Sequence, residues 1–143
     1  MAEEASIQTL MAFLHEELAA VAGYQRALPR FADADDAEEL RACLASHERR
    51  IAMLEQRIRF LGGDPHEQDE DVAGDEVSRA APAGDDAAIA ALEASEDRGL
   101  KHYLDDVCKL DRETRKQIER EVLPEQVRTH DSLSDLKLGL RDG

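Results

Sequence analysis

Glu17 and Tyr24 in HEELAAVAGYQRAL stand seven residues apart, and Glu96 and Tyr103 in EDRGLKHY repeat that spacing. The sequence contains 2 tyrosines, and both belong to these pairs. On a helix turning roughly 100° per residue, all four fall on or inside faces that the surrounding leucines and isoleucines mark for burial. Two further ionisable residues do the same: His47, at the centre of its stripe, and His130, between Leu123, Val127 and Leu133. A lone buried carboxylate costs several kcal/mol unless it is paired or coordinated. Two carboxylates and two imidazoles converging in one core have two ways to offset that cost. They bind a cation, or they pair as carboxylate and imidazolium.

Glu17, His47, Glu96 and His130 are therefore the candidate metal ligands, with Glu93, one turn before Glu96, as a fifth. Glu48 and Glu55, on the flank of the same helix as His47, are weaker candidates. Oxygen and imidazole donors suit iron, manganese or zinc, whereas Cu(I) prefers thiolate or thioether. Tyr24 and Tyr103 are positioned to donate hydrogen bonds to the ligating carboxylates or to act as redox-active neighbours. His15, His66 and His102 read as surface or loop residues.

Positioning these side chains takes four helices, expected at about 6–28, 36–61, 86–108 and 112–138 of one domain spanning 1–143. Ser6 reads as the first N-cap, Asp111 or Thr114 as the last, and the Gly62-Gly63 pair as the stop of helix 2. Pro124 lies inside helix 4 and is expected to kink it. The links PRFADAD and KLDRET are short, whereas 62–85 is long and acidic over 64–76. Short, long, short is the wiring of an antiparallel bundle whose helices 2 and 3 are joined by a crossover; a solvated acidic segment is the alternative. Height agrees as well. The numbers of Glu17 and His47 average to the centre of the first link, and those of Glu96 and His130 fall close to the second.

Composition sets the class. Aromatics are 3% of the chain, Trp is absent and only 4 prolines occur, a composition that with the long periodic runs points to an all-α domain. A formal net charge of −15 repels a phosphate backbone and excludes nucleic acid as a partner. No apolar run is long enough to cross a membrane, and the acidic start MAEEASIQ is unlike a signal peptide, so a cytoplasmic protein is expected. The 2 cysteines, Cys43 and Cys108, are too few for a disulfide framework. Oligomeric state is open, a homodimer included.

The paired Glu-x6-Tyr segments, the two inward histidines and the short-long-short wiring resemble the ferritin-like superfamily. RFLGGDP and SEDRGLKHY are similar to an uncharacterised bacterial four-helix-bundle branch of it, a domain of unknown function. The resemblance implies a ferritin-like antiparallel four-helix bundle and a buried iron site. It also implies oxidoreductase-type chemistry with dioxygen or peroxide. The family's di-iron site carries a glutamate three residues before each histidine. Leu44 and Val127 stand there instead, which implies a site of altered nuclearity. The competing expectation is a metal-free structural or stress-associated interaction protein, in which the Glu/His core only fixes helix register. No activated nucleophile for hydrolysis is present.

Overall fold

A computed structural model describes residues 2–67 and 84–142. Among the described residues the chain is four packed helices with no strand. We number them α1 (Ala2–Ala27), α2 (Ala34–Phe60), α3 (Asp85–Asp106) and α4, which runs from Arg112 to Asp142 in three segments. The expected link over 62–85 and its acidic part, 64–76, lie for 68–83 outside the described residues.

α1 begins four residues earlier than the apolar pattern suggests, with Glu3 and Glu4 in its first turn, where acidic side chains favour the helix dipole. Ser6 is therefore not an N-cap. It is fully buried inside the helix, and its Oγ accepts the backbone N–H of Asp111 at 2.7 Å, tying α1 to the α3–α4 link. A single 3-10 turn over Leu28–Arg30, with Pro29 inside it, leads to α2. Asp33 caps α2 by accepting from the backbone N–H of Asp36 at 2.9 Å.

The far end of α2 stops as the glycine pair predicts. Gly62 adopts φ +95, a left-handed conformation that L side chains strain to reach. Its N–H bonds to Arg59 O and that of Gly63 to Ile58 O, which satisfies two carbonyls that a helix end leaves without partners. Gly63 then lies directly against Ile7 of α1. At the opposite end of α1, the Asp85 carboxylate at the start of α3 accepts the backbone N–H groups of Ala32 and Asp33 at 3.0 and 3.1 Å.

α4 is capped by Asp111, which accepts from Thr114 N–H at 3.1 Å. Its α-helical first segment, Arg112–Gln117, passes into a π-helical turn over Ile118–Val122 and then into Leu123–Asp142. The widened turn ends two residues before Pro124, with Leu123 N–H reaching Ile118 O. It makes room for a residue that lacks a donor and crowds the preceding turn, so the expected disruption takes the form of a π turn. The buried face of α4 is Thr114, Ile118, Val122, Gln126, Thr129 and Leu133.

The core is layered. One apolar cluster gathers Leu10, Phe13, Leu14, Leu54, Ile58 and Val122 with the ring of Tyr103. The other gathers Leu40, Cys43, Ile89, Leu92 and Leu133 with the ring of Tyr24. Each tyrosine packs its ring among hydrocarbons and sends its hydroxyl into the polar layer between.

Candidate functional site

That layer holds Glu17 from α1, His47 and Arg50 from α2, Glu96 from α3, and Gln126 and Thr129 from α4, every one at most 2% exposed. His47 is the hub. Its Nδ1 lies 2.5 Å from Glu17 Oε1 and its Nε2 2.6 Å from Glu96 Oε2, so each ring nitrogen shares a hydrogen bond with one carboxyl group. The tyrosines are crossed between helices: Tyr24 of α1 donates to Glu96 Oε2 of α3, and Tyr103 of α3 donates to Glu17 Oε2 of α1, both at 2.5 Å.

The second oxygens are also engaged. Glu96 Oε1 accepts from Thr129 Oγ1 at 2.7 Å and from Gln126 Nε2 at 3.1 Å. Glu17 Oε2 additionally accepts from Arg50 Nη1 at 3.3 Å. The Arg50 guanidinium donates as well to Gln126 Oε1, Ser46 Oγ, Thr129 Oγ1 and the Glu125 carbonyl. Arg50 Nε is buried without a partner.

Burial alone would discharge His47, but its hydrogen bonds to Glu17 and Glu96 outweigh that and hold it above the usual histidine range. Burial likewise raises Glu96, yet the hydrogen bond and charge of His47 prevail and hold it below the usual carboxylate range. Tyr103 and Tyr24 are pushed far up, first by burial and then by the carboxylates they face, so both remain donors. Cys43, beside this layer, is pushed up to about 11 by burial and by Glu96, an inert thiol. With His47 protonated, two carboxylates face one imidazolium and one guanidinium. In that state the buried layer is electrically neutral.

The halves of the layer correspond. Glu96 follows Glu17, Tyr103 follows Tyr24 and Gln126 follows His47 by the same 79 residues that separate Ser46 from Glu125 and Arg50 from Thr129. The last two pairs are hydrogen-bonded to each other, at 2.8 Å in each case. A residue that touches its own counterpart lies on the axis of a two-fold relation, so the layer is built about a local dyad. Gln126 stands where the counterpart of His47 belongs. Gly99 makes room for it: a Cβ there would come within 3.0 Å of Gln126 Nε2.

Three of the four expected ligands meet, and the fourth does not. His130 is half-buried at the surface, where it pairs with Asp97 at 2.5 Å and Asp131 at 3.6 Å. Of the residues that set the expected phase of helix 4, Leu133 is buried and Leu123 packs partly buried against the core, but Val127 is exposed. Glu93 is also outside the layer, held by Lys137 Nζ at 2.8 Å. Glu48 is exposed, and Glu55 faces His66 at 3.9 Å. Arg50, Gln126 and Thr129 were not foreseen. The signal was present, since Glu17 and His47 lie 30 residues apart and the same step from Glu96 reaches Gln126.

The donor types match the iron implied by the ferritin-like resemblance, but their arrangement does not. Glu17 and Glu96 occupy opposite ring nitrogens of His47, so one ion cannot take the histidine and both carboxylates at bond lengths near 2 Å. Among the described residues no group of three or more His, Cys, Asp or Glu is placed to hold an ion. Nor is any helix among them long and apolar enough to cross a membrane. Comparison with protein-family models, curated proteins and solved structures found no match.

Proposed function

We propose that this chain is a non-catalytic helical-bundle protein whose Glu17–His47–Glu96 centre is an ion-pair network that fixes helix register. The observation that carries the reading is saturation with charge balance. Every oxygen of the two glutamates already has a protein donor, and two buried cations cancel two buried anions. Such a network adds little net stability over an apolar core. It does penalise every other register, because a slip would leave buried charges unpaired.

The fold that goes with this reading is an antiparallel bundle of ferritin-like wiring. Two contacts support it: Gly63 lies against Ile7 near the start of α1, and Asp85 lies against Ala32 and Asp33 beyond its end. The described residues that flank the link thus lie at opposite ends of α1.

Metal binding is the second reading, favoured by one observation: two carboxylates, an imidazole and two phenols share one buried layer. It requires His47 to lose a ring proton and release one carboxylate, leaving Glu96 and His47 as the core of an iron, manganese or zinc site. Any redox chemistry belongs to that reading. Metal analysis of protein produced with iron, manganese and zinc separates the two. The ion-pair reading expects only trace metal and a melting temperature that a chelator does not move. One ion per chain would overturn it.

A further inference from the structure

We propose that Arg50 is the residue that keeps this centre free of metal, a built-in counter-cation occupying the charge that a divalent ion would otherwise supply. The inference rests on the ion-pair reading and explains how it is enforced. Four ionisable side chains face one another in the layer: Glu17 from α1, His47 and Arg50 from α2, and Glu96 from α3. α4 contributes only the neutral Gln126 and Thr129.

A metal ion binds an imidazole nitrogen only after that nitrogen has lost its proton. In a loaded layer the ring of His47 is neutral, and a divalent ion cancels the two carboxylates. With Arg50 present, that layer carries a net +1, buried between two apolar clusters where an uncompensated charge is penalised. Without the guanidinium, the loaded layer is neutral. A guanidinium does not give up its proton in proteins, so Arg50 cannot relieve the excess. Arg50 thus sets the charge of the loaded layer.

It also sets the donor inventory. By donating to Gln126 Oε1, Arg50 turns the amide so that Nε2 faces Glu96. The amide then presents a donor to the layer and withholds the oxygen that could ligate. Removing the guanidinium frees Gln126 to turn that oxygen inward and leaves Glu17 Oε2 with Tyr103 as its remaining donor.

The test uses the full chain as wild type, Arg50→Met and Arg50→Lys, each refolded with Zn2+, with Mn2+ and with neither, followed by dialysis and metal analysis. The expected result is trace metal in wild type and Arg50→Lys. Arg50→Met should hold one ion per chain, with a melting temperature that rises on metal addition. Arg50→Met that folds only when metal is present supports the inference equally. It is overturned if Arg50→Met folds and holds only trace metal, or stays unfolded with and without metal. It is also overturned if Arg50→Lys loads as readily as Arg50→Met, since charge would then not be the cause. In these three outcomes a metal-free wild type leaves the ion-pair reading standing. One ion per chain in the wild type overturns both.

Discussion

Tyr24 serves the glutamate of another helix: its hydroxyl on α1 donates to Glu96 of α3 at 2.5 Å. Tyr103 returns the exchange to Glu17. The seven-residue spacing therefore does not arrange an interaction within a helix. It sets the height at which α1 and α3 must align, because both phenols reach their carboxylates only in one register.

This crossing is measurable. Tyr24→Phe should cost about 1.5–3 kcal/mol in urea unfolding, the worth of a hydrogen bond to a buried charge. In double-mutant cycles Tyr24→Phe should couple to Glu96→Gln by about 0.5–3 kcal/mol, and more strongly than to Glu17→Gln. The reverse order would mean that the tyrosines are not crossed.

The two histidines once equivalent in the sequence should separate sharply. His47→Ala leaves two carboxylates facing each other in a dry core and should cost about 3–5 kcal/mol. His130→Ala removes a partly exposed pair with Asp97 and should cost less than about 1 kcal/mol. Equal losses would contradict the placement of His130 at the surface.

The pH dependence follows from the directions of two shifts. His47 is raised from 6.5, so its contribution is complete below about 6.5 and is lost as pH rises through the folded-state value. Glu96 is lowered from 4.5, so its contribution is complete above about 4.5 and is lost as pH falls through the folded-state value. Stability from this pair should be greatest between those limits. Urea midpoints against pH for wild type and His47→Gln should differ by an alkaline loss confined to wild type. A wild-type curve that climbs relative to His47→Gln above pH 6.5 would refute the assignment.

Gly99 should show a change of sign. Gly99→Ala should destabilise the wild type, because the Gln126 amide is held by Arg50 and Glu96 and cannot give way to a Cβ at 3.0 Å. In a Gln126→Ala background the obstruction is gone, and the same change should stabilise by about 0.5–1 kcal/mol, the gain of replacing glycine inside a helix. Thermal melts of the four proteins decide it.

The sequence made all four helices and the Glu, His and Tyr members of the layer legible because hydrophobic periodicity carries depth. An acid or a phenol on an apolar stripe stands out against its neighbours. Glu17, Tyr24, His47, Glu96 and Tyr103 were visible for that reason. Arg50 was not, because within ERRIAMLEQRIR an arginine is indistinguishable from the solvated ones beside it. On α4 the buried residues Gln126 and Thr129 carry no apolar signal, so Leu123 and Val127 pulled the inferred face toward His130. The π turn before Pro124 compounded this, since a wheel of constant pitch cannot follow it. What remained readable there was the repeat, which steps from Glu96 to Gln126 and not to His130.

15N NMR of the histidine side chains in metal-free protein at pH 6 shows whether His47 is an imidazolium donating from both ring nitrogens, because its folded-state value lies above 6.5. Both His47 nitrogens are expected to carry slowly exchanging protons and to correlate across the hydrogen bonds to Glu17 and Glu96. A neutral ring with one bare nitrogen at that pH would overturn the ion-pair network.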